Sequence, residues 1–256
     1  MKRPIIIIGI GEMGSVFARG FLRLGHPVYP VTRADSVREV AAEVPEPAAV
    51  IIAVGENDLH PILETLPEAW WDSLVLIQNE LLPQDWQDYD FSHPTIMSVW
   101  FEKKKGQDVK VVVPSIAHGP NAELLASALG TLDIPVEIVH DENRLLFELV
   151  RKNLYILTTN IAGLETGGTV HELWRDHQEL AKSVAREVLD IQAWLTGESL
   201  DKDNLMQAML TAFEGDPNHQ CMGRSAPARL ARALELAKQG NIKPPILEAI
   251  AEKHLS

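Results

Sequence analysis

The stretch Pro4 to Gly14, Pro-Ile-Ile-Ile-Ile-Gly-Ile-Gly-Glu-Met-Gly, constrains this chain more than any other. Ile5 to Ile8 are β-branched throughout, which suits a strand buried on both faces of a parallel sheet. Gly9, Gly11 and Gly14 then follow the G-x-G-x-x-G spacing. The first glycine permits a tight turn, the second lets backbone approach a pyrophosphate, and the third lets a helix pack closely on the strand. Val16, Phe17, Phe21 and Leu24 recur at helical spacing, so the glycines open a helix whose free N–H groups and positive dipole end would face phosphates. Gly9, Ile10, Gly11, Glu12, Met13 and Gly14 are thus the first candidates for cofactor binding. Glu12 is an awkward neighbour for phosphate, and its carboxylate is expected to point outward to solvent.

Which dinucleotide fits should be decided where the second strand ends, in His26-Pro-Val-Tyr-Pro-Val-Thr-Arg33. An acid there would hold the ribose hydroxyls of NAD. Thr32 and Arg33 instead offer a hydroxyl and a guanidinium, which suit the 2′-phosphate of NADP. Asp35 is the competing reading, since a loop acid two residues on could still reach a ribose.

The pattern after the first helix alternates strand and helix: strands at Ala48 to Val54 and Leu74 to Ile77, a helix from Asn57 to Leu66, and an acidic link at Glu39 to Pro47. Such alternation implies parallel strands with crossover helices. Short strands follow at Thr95 to Val99, Val109 to Val113 and Ser115 to His118. Glu102 to Asp108 reads as a hairpin turn between the first two, with solvent-facing lysines. A helix from Asn121 to Leu129 and a strand at Val136 to Val139 complete a doubly wound α/β domain over residues 1–141. From 142 to 256 strand signals vanish, and an all-helical domain is expected. Its helices run from Glu142 to Leu164, Val170 to Leu195, Lys202 to Phe213, Ala226 to Gln239 and from Pro245, with breaks at Gly163 to Thr169 and Glu214 to Gly223.

Bulk properties narrow the class further. The formal net charge of −13 disfavours nucleic acid or an anionic membrane as partner. No apolar run approaches the length of a membrane span, and Met-Lys-Arg leads straight into a strand, so a soluble cytoplasmic protein is expected. The single cysteine, Cys221, excludes an internal disulfide framework. His171-Glu-Leu-Trp-Arg175 matches a zinc-protease helix only at its start, because Arg175 stands where the second histidine is required, so no metal is expected. His118 and the pair Trp70-Trp71, with Trp86, read as structural residues.

In the second half, the helix from Glu142 carries Lys152, Tyr155, Thr159 and Asn160 on nearly one face. A lysine there needs an anionic partner. A substrate carboxylate or developing alkoxide would serve, and so would Glu148, four residues earlier in the favourable order for an ion pair.

The segment Glu148-Leu-Val-Arg-Lys152-Asn-Leu-Tyr-Ile-Leu-Thr-Thr-Asn160 resembles the catalytic helix of the ketopantoate reductase (2-dehydropantoate 2-reductase) family, with a lysine and, eight residues later, an asparagine. Gly9 to Gly14, Gly25 to Arg33, Leu76-Ile-Gln-Asn79 and Lys110 to Pro120 agree in order and spacing. The resemblance implies hydride transfer from NADPH to a small 2-keto acid, in a cleft between a Rossmann-type domain and a helical one. It implies Lys152 as the catalytic residue, Asn79 near nicotinamide and substrate, and Asn160 as a substrate ligand. The chain also departs from the pattern. Ile156 stands where the family has a second asparagine, Glu56 where a lysine lies near the cofactor, and Ser225 where a substrate-binding glutamate is expected. The chain is shorter than typical members around this last motif. A non-catalytic NADP-binding redox sensor on the same fold, or a reductase of another keto or imine substrate, therefore stands beside the keto-acid reductase. The long apolar helices of the second half make a homodimer plausible.

Overall fold

The computed structural model describes residues 2–91 and 93–255, and the chain divides into two compact units, Met1–Glu148 and Leu149–Ser256. The first is built on β1 (Ile5–Ile8), α1 (Glu12–Arg23), β2 (Val28–Val31), α2 (Val37–Glu43) and β3 (Ala49–Ile52). Next come a 3-10 turn at Glu56–Asp58, α3 (Leu59–Leu63), a second 3-10 turn at Glu68–Ser73, β4 (Leu74–Leu76), α4 (Gln84–Gln87) and β5 (Thr95–Ser98). The ribbon β6 (Phe101–Glu102) and β7 (Lys110–Val111), then β8 (Ser115–His118), α5 (Ala122–Gly130) and β9 (Val136–Ile138), complete it.

A seven-stranded sheet in the order β2-β1-β3-β4-β5-β8-β9 results. Neighbours run parallel except β5 and β8, which pair antiparallel with Ile96 opposite His118. Because β1 lies between β2 and β3, the strand order reverses there, as in a doubly wound sheet. Ile5, Ile6 and Ile7 are fully buried, which explains the unbroken β-branched run: side chains on both faces of the sheet are covered. On one face Ile5 and Ile7 join a core with Phe17 and Phe21 of α1 and Leu125, Ala128 and Leu129 of α5. Pro30 is tolerated because β2 is an edge strand, pairing with β1 alone. Buried Trp70 packs as expected, its indole N–H donating to the Val44 carbonyl at 2.8 Å, and Trp71 donates to Leu66 at 3.2 Å.

Several elements differ from the sequence expectation. The acidic link holds α2, started by Ser36, whose hydroxyl accepts from the Glu39 N–H. The helix expected from Asn57 is a 3-10 turn followed by the short α3. The strand at Thr95 pairs not with the stretch from Val109 but with β8, and the lysine hairpin is the separate ribbon β6–β7.

The second unit is built from helices: most of α6 (Glu142–Thr166), then α7 (Val170–Asp176), α8 (Gln178–Thr196), α9 (Lys202–Gly215), α10 (Ala226–Gln239) and α11 (Pro245–His254). The single helix expected from Val170 to Leu195 is two, broken at His177, whose φ of −132° and ψ of 34° leave the helical region. Thr169 and Glu172 form a capping box at the start of α7. Gly163, expected to begin a break, lies inside α6, where a Cβ would fall 2.8 Å from that of Cys221. It allows close approach of the Cys221 segment rather than ending the helix. Buried Asn153 donates to Gln192 at 2.9 Å, tying α6 to α8. Among the described residues no helix is long and apolar enough to cross a membrane.

Pro244 and Pro245 leave α11 without a side-chain cap of its own. Glu187 of α8 supplies one at a distance, accepting from the Ile246 N–H at 2.9 Å and the Leu247 N–H at 2.9 Å. Replacing Glu187 with Ala should cost about 1–2 kcal/mol, the worth of a lost helix cap. Urea denaturation checks this, and an unchanged midpoint would contradict the capping role.

Candidate functional site

The ends of three strands are held together at the glycine turn. The Gly9 N–H donates to Val31 at the end of β2 at 2.9 Å, and the Ala53 N–H donates to Ile8 at the end of β1 at 2.8 Å. Gly9 takes a φ of +93°, and a Cβ on it would meet the Ala53 carbonyl oxygen at 2.6 Å. At Gly14 a Cβ would lie 2.1 Å from the Gly9 carbonyl oxygen, so α1 can pack against its own turn only with glycine there. Gly11 differs from both. Among the described residues nothing lies within 4 Å of the position its Cβ would take, so no contact there calls for glycine. Gly11 is the N-cap of α1, with no side chain capping the first turn.

Outside the carboxyl ends of β1 and β3, where the strand order reverses, lies a cleft of about 570 Å³. Gly9, Gly11, Thr32, Arg33, Asp58 and Ile62 are among its lining residues. Open α/β sheets bind ligands at this place, and the N-terminus of a helix favours an anion. Ile10 is exposed, whereas Met13 is partly buried and packs against the core. Glu12 does not simply face solvent. Its carboxylate lies 3.3 Å from the Lys103 ammonium of the β6–β7 ribbon, and Lys103, expected to be solvent-facing, is only 18% exposed.

The strand-end residues also have partners. Arg33 donates to Asp58 at 3.1 Å. Asp35, the alternative ribose ligand, accepts from the Thr32 N–H at 2.8 Å and hydroxyl at 2.7 Å, and these bonds hold its carboxyl below the usual carboxylate range. After β4, Asn79 donates to Glu56 at 3.3 Å, so the residue expected near a nicotinamide is held by an acid. Buried Gln78, which sequence reasoning passed over, donates to Ile52 at 2.6 Å and accepts from the Ile77 N–H, locking the ends of β3 and β4 together. His118 has the structural role expected of it, with Nδ1 3.0 Å from the Val139 carbonyl.

On α6, Lys152 is half-buried, and fully buried Glu148 engages Arg144 at 2.7 Å. Asn160 is buried and its amide is engaged at both ends, accepting from Arg229 at 2.8 Å and donating to the Cys221 carbonyl at 3.2 Å. The lysine helix and the late motif Met222 to Arg229 are therefore joined through Arg229, a residue to which the sequence reading gave no role. Ser225 is exposed at the start of α10 and caps nothing with its side chain. Tyr155 is buried, its hydroxyl bonded to His219 and its ring stacked on that imidazole at 5.8 Å. Thr159 bonds back to the Tyr155 carbonyl at 2.8 Å. Both read as interior residues. Burial pushes the Cys221 thiol up to about 12, with the Glu172 charge adding to the shift, which makes it a poor nucleophile near neutral pH.

No family model matches the chain, and no curated protein matches it. Solved structures match over nearly its whole length. The 2-dehydropantoate 2-reductase of Methylococcus capsulatus is similar with a TM-score of 0.70 at 14% identity, covering 98% of this chain and 95% of that one. A dimeric ketopantoate reductase of Staphylococcus aureus gives 0.67 at 18% identity, over 98% and 97%. A D-mandelate dehydrogenase in complex with NADH gives 0.67 at 15% identity, over 100% and 98%. The chain thus has the fold of the ketopantoate reductases, the resemblance that its glycine turn and lysine helix carry in the sequence.

Proposed function

We propose that this protein is an NADPH-dependent reductase of a small 2-keto acid, of the kind that converts 2-dehydropantoate to pantoate. The observation that carries the reading is Gly11. Gly9 and Gly14 are required by the protein's own packing, whereas Gly11 faces open space in a cleft at the switch point. A glycine kept bare without an internal reason fits a backbone surface reserved for a pyrophosphate. Arg33 is the partner for a 2′-phosphate, and Asn79 sits at the strand end expected to face the nicotinamide.

When bound, the nicotinamide supplies a hydride to the carbonyl carbon. Lys152 polarises the ketone and gives its proton to the oxygen as negative charge develops there. An ammonium held at hydrogen-bond distance stabilises that charge in a dry site. Asn160 and Ser225 are proposed substrate ligands. Asn160 would act through an amide already oriented by Arg229 and Cys221. We place the protein in the cytoplasm as a homodimer, the assembly named for the Staphylococcus aureus reductase of the same fold.

A non-catalytic NADP-binding sensor is favoured by three observations: Asn79 is tied to Glu56, the Asn160 amide is engaged at both ends, and Ile156 is apolar and buried. The two readings part at Lys152. In the reductase, Lys152→Ala should lower turnover on the order of 10³-fold while NADPH still binds. Steady-state kinetics beside a binding titration reads both, and unchanged turnover would rule out the proposed role.

The nucleotide cleft is tested by two alanines. Gly11→Ala should leave stability within about 0.5 kcal/mol of the parent and weaken NADPH binding at least tenfold or so, because its methyl would enter the pyrophosphate's space. Gly14→Ala should cost about 3 kcal/mol through overpacking, outweighing the gain in helix propensity. Equal NADPH affinity in Gly11→Ala and parent would contradict the assignment.

A further inference from the structure

The cleft at the glycine turn holds more negative than positive charge at its ribose end. Its charged lining residues are Arg33, Asp35 and Asp58. Arg33 follows β2 and Asp58 ends the 3-10 turn after β3, so they stand on opposite sides of β1. Across that interval the Arg33 guanidinium reaches Asp58 at 3.1 Å. Asp35 is turned back onto Thr32, whose N–H and hydroxyl both donate to it. The guanidinium that a 2′-phosphate requires is therefore engaged by a carboxylate, and a second carboxylate lies two residues away along the chain.

We infer that Asp58 is a specificity-determining residue for the cofactor: it holds Arg33 and sets a negative charge beside the place of a 2′-phosphate, reducing the preference for NADPH over NADH. This rests on the dinucleotide reading of the cleft. A ribose diol is neutral and donates hydrogen bonds, so it can share the site with both carboxylates. A 2′-phosphate brings nearly two negative charges and must draw Arg33 away from Asp58 before the pair can form. Arg33 and Asp58 are 93% and 52% exposed, so the exchange is feasible, but the Asp58 charge remains close by after it. The side chain that tunes selection thus belongs to the β3 wall, away from the β2 strand end where selection is usually read.

The test is Asp58→Asn, which keeps shape and removes charge at an exposed position whose side chain makes no helix-capping bond. NADPH and NADH are titrated separately into parent and variant, and melting temperature confirms that both are folded. The variant should bind NADPH about fivefold tighter and NADH within about twofold of the parent, from release of a charge-assisted pair and loss of repulsion. A NADPH-to-NADH affinity ratio unmoved by the substitution overturns the role of Asp58, whether both affinities stay constant or shift together. A parent that binds neither nucleotide overturns the dinucleotide reading itself, and this proposal with it.

Discussion

The approach of α1 to its own turn governs the architecture of the first unit. With the Cβ position of Gly14 only 2.1 Å from the Gly9 carbonyl oxygen, the helix can begin where it does only if both strand and helix give up side chains at the crossing. That closeness leaves Gly11, the N-cap of a twelve-residue helix, on the lining of the cleft beside Ala53 and Val54 at the end of β3. The sheet contributes the other half of the arrangement. β2 and β3 flank β1 in parallel, so the loops that follow each of them open at the same edge. Thr32, Arg33, Val54 and Asp58 are gathered there by topology, although they are far apart in sequence.

The second unit is organised by buried amides on α6. Asn153 meets Gln192, and Asn160 meets both Arg229 and the Cys221 carbonyl. An unpartnered amide at such depth would be costly, so each pairing fixes the rotation of α6 relative to its neighbours. Lys152 lies on the same helix and inherits that rotation. The absence of a side chain at Gly163 lets the Cys221 segment come close enough to accept from Asn160.

Much of this was legible in the sequence because period and composition encode it locally. The isoleucine strand, the glycine spacing, the apolar repeat of α1 and the helical second half all follow from nearest-neighbour patterns. What escaped depends on contacts between distant residues or on very short elements. α2 buries only Ala41 among its residues, so its apolar face is too thin to register as periodicity. β6 and β7 are two residues each, and their pairing is a tertiary fact. The break at His177 carries no glycine or proline, and Gly163 carries no break. At the site, the positions could be proposed from spacing, but the couplings could not. Glu12 with Lys103, Arg33 with Asp58, Asn79 with Glu56 and Asn160 with Arg229 each join segments that no local pattern relates.

On the proposed reading, the cleft of the first unit would hold a nucleotide and the Lys152 ammonium would supply the proton as a keto acid is reduced. The most direct measurement is the time course of NADPH oxidation by the unmodified protein with a panel of 2-keto acids that includes 2-dehydropantoate, with the organic product identified. The expected result is oxidation that depends on one keto acid or a few, with one molecule of the 2-hydroxy acid formed for each nucleotide consumed. Tight NADPH binding with no keto acid reduced would contradict the reductase account and leave the nucleotide-sensing one.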